Sequence, residues 1–402
     1  MKWASSVGAS ARLSDCIAQA AAAVRLRLKA ATADLALVFA SHHFRDAFDH
    51  LPALVQEHLP SRVLVGCSAA GVIGGGEEVE HEPAVSLTAA LLPGVQVRSL
   101  YSDTLDLPDP DAPPAVWRAW LGLRQVPDAQ FIVLADPFTA ALEPFLTGLD
   151  YAYPDAAKIG GLASGGRQKG DHALFQDDRV HRHGLLAVAL SGNLEVETIV
   201  AQGCRPIGKP LVVTRCEHNL LLEVDRLAPL KYLAGLVEEM GDHDRQLMRT
   251  SLFLGVEMDP LREGPAPGDF LIRNLVGIDY GRGILAAGTP LQEGQVVQFH
   301  LRDKVASAGD LDGRLERARE RARARPPAGA LLFSCLGRGR HLYGEVNHDS
   351  RRFAEELGAV PLGGFFCNGE IGPVAQSTHL HGYTSSFGLF REKGGGREAG
   401  DA

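Results

Sequence analysis

Arg62-Val-Leu-Val-Gly-Cys-Ser68 runs directly into Ala69-Ala-Gly-Val-Ile-Gly-Gly-Gly76, and together they set how the whole chain is read. The first stretch is an apolar strand, the second a turn in which glycine supplies the positive φ that other residues resist. Upstream, Leu35 to Ala40 reads as a strand and Phe44 to Glu57 as a helix; downstream, Ala84 to Pro93 returns as a strand. The same order recurs. Phe131 to Asp136, a helix over Thr139 to Tyr151, Lys158-Ile-Gly-Gly-Leu-Ala-Ser-Gly-Gly166 and Gly184 to Leu190 form a second copy. Ala330 to Cys335, a helix over Ser350 to Leu357, Pro361-Leu-Gly-Gly-Phe-Phe-Cys-Asn-Gly-Glu-Ile-Gly-Pro373 and His379 to Phe390 form a third. Repetition on this scale means duplicated modules.

The expected class is therefore α/β (α+β): two related domains of duplicated strand-helix-strand modules, with layered, mostly antiparallel sheets and outer helices. An N-terminal helix precedes the first module, and a proline-rich joint, Leu107 to Pro114, separates the first two. Gly203 to Pro210 punctuates the chain, which places the first domain at 1–214 and the second at 215–393, with 394–402 a disordered tail. A helix over Leu230 to Met248 carries apolar residues at helical spacing. The strands Leu252 to Val256, Asp269 to Val276, Gly283 to Ala287 and Gln295 to Leu301 read as a degenerate copy with its helix displaced. Asp310 to Arg325 reads as a charged, solvated helix.

With 402 residues and 45% apolar content the chain can bury two cores. Its net charge of -9 argues against nucleic-acid or anionic-membrane partners. The alanine-rich run Ala18 to Val24 is followed at once by Arg25, Arg27 and Lys29, the wrong order for a secretory leader, and no window is long and apolar enough for a membrane span. The six cysteines lack zinc spacing and sit in or beside apolar strands, as in a reducing, cytoplasmic setting.

Four of these motifs carry a resemblance. Val65-Gly-Cys-Ser-Ala-Ala-Gly-Val-Ile-Gly74, Ile159-Gly-Gly-Leu-Ala-Ser-Gly-Gly166, Pro206-Ile-Gly with Val212-Val-Thr214, and Gly363-Gly-Phe-Phe-Cys-Asn-Gly-Glu-Ile-Gly-Pro373 resemble the FIST family, N-terminal domain followed by C-terminal domain. The resemblance implies a cytoplasmic sensory and signal-transduction module that binds small ligands, amino acids among them. In the family the domain pair stands alone or is joined to kinases, chemoreceptor parts or an F-box. Only about 30 residues precede the first module, too few for a folded output domain, so a separate signalling protein is the expected partner.

Candidate ligand-binding residues cluster at the glycine-rich segments. The turns at Gly71 and Gly161, with Cys67, Ser68 and Ser164 beside them, could offer backbone amides to an anion or serve only as tight turns. They match neither the phosphate-binding Walker loop nor the dinucleotide fingerprint, so no cofactor is expected. Cys335-Leu-Gly-Arg338 and Cys367-Asn-Gly-Glu370 leave neighbouring strands. Arg338 could fork onto a carboxylate and Glu370 accept an ammonium, which suits an amino acid; equally, the two could pair with each other. Asn368 and Gln376 could add polar contacts. Cys367, with His379 or His381 as base, and Cys335, activated by Arg338, could be nucleophiles, or both could be small buried hydrophobes. Arg273 and Asp279 interrupt an apolar strand and must be paired or face a cleft. His42-His43, His181/His183 and His379/His381 lack a third ligand, so no metal is expected. Thr384-Ser385-Ser386 lacks a nucleophile elbow. The resemblance implies a sensor; its rivals are a cysteine-dependent enzyme and a ligand-independent interaction scaffold.

Overall fold

The computed structural model describes residues 1–259, 265, 268–374 and 376–394. Its first module runs β1 (Lys2–Ala9), α1 (Leu13–Leu28), β2 (Ala33–Ser41), a 3₁₀ segment (His42–His50), α2 (Leu51–His58), β3 (Ser61–Ala69), a short hairpin β4 (Gly71–Gly74) and β5 (Glu77–Glu80), then β6 (Ala84–Leu91). The second repeats that order: β7 (Val95–Ser102), α3 (Pro114–Trp120), β8 (Gln130–Ala135), α4 (Leu142–Ala152), β9 (Lys158–Leu162), the hairpin β10 (Leu174–Gln176) and β11 (Arg179–His181), and β12 (Leu185–Gly192). The third begins with β13 (Glu195–Ala201). Before it continues, the chain makes β14 (Cys204–Glu217), β15 (Leu220–Val224), α5 (Pro229–Glu239), α6 (Asp242–Thr250), β16 (Leu252–Glu257), β17 (Phe270–Asp279), β18 (Ile284–Ala287) and β19 (Val296–Arg302). The module then resumes with α7 (Lys304–Ala324), β20 (Gly329–Cys335), α8 (Gly339–Tyr343), α9 (His348–Leu357), β21 (Leu362–Cys367), the hairpin β22 (Glu370–Val374) and β23 (Ser377–His381), and β24 (Ser385–Arg391).

Each module is built round a parallel strand pair joined through helix: β2 with β3, β8 with β9, β20 with β21. The return strand pairs antiparallel with the first of the two, β6 on β2, β12 on β8 and β24 on β20. One position repeats with the same physics. Gly66, Gly160 and Gly364 face Val38, Val133 and Leu332 across the parallel pair, and a Cβ on any of them would lie 1.8 Å from that residue's carbonyl oxygen. Only glycine lets the strands approach so closely.

The hairpins are exchanged between modules. β4 of the first pairs with β21 of the third, β10 of the second with β3 of the first, and β22 of the third with β9 of the second. Three six-stranded sheets result, ordered β1-β6-β2-β3-β10-β11, β7-β12-β8-β9-β22-β23 and β13-β24-β20-β21-β4-β5. The buried strands alternate as a two-residue period requires. Leu35, Leu37 and Phe39 enter a core shared with Ile132, Leu134, Phe333 and Phe365 of the other sheets, while Ala36, Val38 and Ala40 face the helices. On that side α1 buries Cys16, Ile17, Ala20, Val24 and Leu28 at helical spacing, has Asp15 in its first turn and closes on Lys29 in the left-handed region.

The expected α/β, two-domain architecture with outer helices is the one observed, with several corrections. The stretch read as a degenerate copy is instead a closed, six-stranded barrel, β14-β15-β18-β17-β16-β19, inserted in the chain between β13 and α7. Contacts divide the molecule into one unit of residues 1–200, 312–380 and 384 onward, and another of 201–311 with 381–383. A single cut at 214/215 falls inside β14, because Gly203 to Pro210 bulges a long strand and does not end one: register shifts between Ile207 and Leu211, where Pro210 has no N–H for the ladder. Gly71 to Gly74 is likewise a strand and only Gly75-Gly76 turns. The helix expected over 230–248 breaks at Gly241 into α5 and α6. Leu107 to Pro114 lies within the second module, after β7. The charged helix α7 buries Leu311, Leu315 and Ala318, so it is not simply a solvated face. The N-terminal strand β1 has no counterpart in the sequence reading. The expected disordered tail lies, from residue 395, outside the described residues.

Candidate functional site

The hairpin exchange brings most of the sequence-selected residues to one place. The Ser164 amide donates to the Ser68 carbonyl (3.1 Å) and the Asn368 amide to the Leu162 carbonyl (3.2 Å). The Ser164 hydroxyl accepts from the Ala70 amide (2.8 Å) and donates to the Phe366 carbonyl (2.5 Å). Ser68 Oγ accepts the Ala173 amide (3.1 Å). A Cβ on Gly161 would lie 2.4 Å from Cys367 Sγ, and one on Gly71 would lie 2.9 Å from the Phe366 ring. Cys67, Ser68, Gly71, Gly161, Ser164 and Cys367 thus pack where strands cross between modules.

The glycine segments do not form an anion cradle. The Gly75 amide donates to the Leu362 carbonyl, the Gly166 amide to His172 Nε2 (3.1 Å), and the Arg167 and Gln168 amides to Asp171 Oδ2 (2.9 and 3.2 Å). Burial pushes the Cys67 and Cys367 thiols well above their ordinary range, the reverse of what a nucleophile needs.

The carboxyl end of β20 and β21 holds a packed ionic cluster. Arg338 is completely buried and forks onto Asp349, Nε to Oδ2 at 2.9 Å and Nη2 to Oδ1 at 3.1 Å. Asp349 also accepts the Ser385 hydroxyl (2.5 Å) and meets His348 Nδ1 at 2.9 Å. Burial alone would raise its carboxyl, but Arg338 and these hydrogen bonds hold it below the usual range. His348 stacks on Tyr343 at 3.4 Å. The hairpin donated by the first module adds Glu78, whose Oε1 accepts the Ser350 amide at the start of α9 (2.6 Å) and whose Oε2 is buried with no hydrogen-bond partner among the described residues. Burial first, then the Asp349 charge, pushes Glu78 up to about 8. Glu370 is buried too, its Oε2 taking the Thr384 amide (3.1 Å) and hydroxyl (2.8 Å). Arg338 and Glu370, expected to meet a ligand carboxylate and ammonium or to pair with each other, are instead interior groups with other protein partners, Asp349 for Arg338 and Thr384 for Glu370.

The carboxyl end of β8 and β9 is hollow. A cavity of about 290 Å³ lies there, walled by Pro137, Ala140, Ala141, Leu142, Leu162 and Leu380, with Glu143 at its edge and Asp136 at its base. α4 begins at Leu142 with no side-chain cap, so the Leu142 and Glu143 amides start at the cavity wall, Pro144 having no N–H. Asp136 is buried between His172 Nδ1 (2.9 Å) and the Thr139 hydroxyl (2.5 Å). Burial raises it, but these two bonds outweigh that and hold it ionised. His172 Nε2 already accepts the Gly166 amide, so the imidazole is a fixed support and has no open nitrogen for base catalysis.

Family models match nearly all of this frame: the FIST N domain over residues 34–226 and the FIST C domain over 229–373. The chain belongs to the FIST family. FIST domains are sensory, signal-transduction domains. This FIST protein is 36% identical over 373 residues to an uncharacterized protein of Mycobacterium tuberculosis (strain ATCC 25618 / H37Rv), covering 93% of this chain and 95% of that one. It has the same identity over the same length to an uncharacterized protein of Mycobacterium bovis, covering 92% and 94%. An F-box/LRR-repeat protein of Arabidopsis thaliana is 25% identical over 271 residues, 60% of this chain and 51% of that one.

Two sequence-selected residues of this FIST protein belong to the barrel. Asp279 accepts the Arg282 amide (3.0 Å) and side chain (2.8 Å), closing the turn after β17, and Arg273 is part-buried on the same strand. Cys335 sits opposite Cys367 in the β20–β21 register, and Asn368 exposes its side chain at the turn before Glu370. Sequence reasoning missed Asp349, Glu78, Asp136, His172 and the cavity wall. For Asp136 a signal existed: it directly succeeds a strand of a parallel pair, the end where α/β sheets place ligands. For Glu78 none did, since its partners arrive from another module.

Proposed function

We propose that this FIST protein is a cytoplasmic sensor for a small ligand, an amino acid or a related small acid, held in the cavity at the carboxyl end of β8 and β9. The observation that carries the reading is that cavity itself, about 290 Å³ of mainly apolar wall meeting the uncapped start of a helix. The Leu142 and Glu143 amides at the helix start suit a ligand carboxylate, and the apolar wall suits a small side chain. In this reading the residues at the strand crossing, with Arg338 and Glu370, form the frame that couples the cavity to all three modules. Leu162 belongs to the second module and Leu380 to the third, so an occupant touches both and can shift their balance. The altered surface would then be read by a separate signalling protein. Among the described residues no helix is long and apolar enough to cross a membrane.

A thermal-shift screen against amino acids, small organic acids and nucleotides tests this, because binding to the folded state raises the melting temperature. An amino acid or small acid should register, and Ala140→Phe, which fills the cavity, should abolish the response. A panel without a hit would favour a ligand-independent interaction scaffold, the reading consistent with similarity to an F-box/LRR-repeat protein. A hit that survives Ala140→Phe would put the ligand elsewhere.

A further inference from the structure

The three modules are covered unequally on their helical side. In the first, α1 is 16 residues long and lies along β1 and β6. In the second, the helix at the same point of the chain, α3, has only 7 residues and packs on α4. The outer face of β7 and β12 is left to the loop after α3, and a cavity of about 310 Å³ remains beneath it. Its walls are Leu100, Leu121, Leu123, Phe131, Ala187 and Ala189. Among the described residues Arg98 is the one charged side chain that lines it, and its Nη1 donates to the Gly122 carbonyl across the mouth at 3.0 Å. A Cβ on Gly122 would meet nothing within 4 Å, so the loop wall is not tightly packed.

We infer that this cavity is a second ligand site, distinct from the one at the end of β8 and β9, and that it takes a monocarboxylic acid with an unbranched apolar tail. Besides Arg98 the lining holds one polar side chain, Ser99, whose Oγ already accepts Gln176 Nε2 (3.0 Å), so among the described residues no lining carboxylate answers an ammonium, and an unpaired polar group there would be costly. The tail replaces water against leucine, phenylalanine and alanine side chains, and the carboxylate meets the Arg98 fork at the mouth. A zwitterionic amino acid is disfavoured here because the site offers a cation and no anion.

Octanoate is the probe, followed by thermal shift and calorimetry on the full chain, with 1-octanol and leucine as controls. Octanoate should raise the melting temperature saturably, Arg98→Gln should weaken it about tenfold, the worth of a charge-assisted hydrogen bond, and Ala189→Phe should remove it while leaving far-UV dichroism unchanged. Should Ala189→Phe not fold, Leu123→Trp fills the same space from the loop side. The inference is overturned if octanoate gives no shift at millimolar concentration, if 1-octanol binds as tightly, or if octanoate binding survives the filling substitution.

Discussion

The carboxyl ends of β8/β9 and of β20/β21 occupy the same place in equivalent modules, yet one is hollow and the other solid. Both parallel pairs carry the close-approach glycine, and both receive a hairpin from another module. The difference lies in the residues just beyond the first strand of each pair. After β8 come Asp136, Pro137 and a helix that starts uncapped, and Asp136 turns toward His172. After β20 come Arg338 and two helices, and Asp349, Glu78 and Glu370 fill the interior with polar side chains. A shared backbone frame thus sets where a site can exist, and side chains set whether it is occupied by the protein itself.

The frame is the first thing to break. Gly160→Val and Gly364→Val each drive a Cβ into a carbonyl oxygen, so neither variant should yield soluble folded protein; an equal outcome at both would establish the shared frame, and tolerance at one would deny it. The solid end comes next. Arg338→Met strands the buried Asp349 carboxylate and should cost about 3–5 kcal/mol in denaturant unfolding, whereas no comparable loss is expected from Ala140→Val at the hollow end.

Proton linkage separates the two ends further. Glu78 has its carboxyl at about 8 when folded against 4.5 ordinarily, so between these values the folded state keeps a proton that the unfolded chain has lost. The Glu78 contribution should therefore be lost as pH rises through that window, and the parent protein should lose stability across it relative to Glu78→Gln. Asp349 is held low, so its contribution is lost as pH falls below the ordinary carboxylate range, whereas His300, lowered by burial to about 4 from 6.5, adds stability as pH rises through the lower part of the Glu78 window, so the comparison with Glu78→Gln isolates the carboxyl. Melting-temperature profiles of the parent protein and Glu78→Gln that run parallel from about pH 5 to 8 would contradict this. The smallest effect on stability belongs to the hollow end: Ala140→Val, which takes up part of the cavity, should leave melting nearly unchanged and weaken an amino-acid ligand about tenfold by calorimetry.

Local signals carried much of the fold into the sequence reading. Leu35 to Ala40, Phe131 to Asp136 and Ala330 to Cys335 are continuous apolar runs because their strands are buried on both faces, and the helices after them show their own period. β4, β10 and β22 were not legible as exchanged strands: they are short, and two of them contain glycine, so nothing local names a partner. Four of the six barrel strands, β16 to β19, were found nearly residue for residue and β15 was not; an antiparallel strand reads alike in a barrel and in an open sheet, so their closure was not legible either. For the candidate site, Arg338, Glu370 and the cysteines were legible as positions beside the glycine-rich segments, and their neighbours were not foreseeable, since Asp349 and Glu78 reach Arg338's surroundings from separate elements.

The amino-acid sequence by itself determined the modules, their threefold repetition, the glycines that bind them together and membership in the FIST family, because each is written in contiguous residues or local periods. Only the tertiary structure decided which module lends a hairpin to which, that the inserted strands close on themselves, and that one strand end is packed with charge while its counterpart is empty. Strand pairing, burial and free volume depend on residues far apart in the chain, and those exist as neighbours only once it has folded.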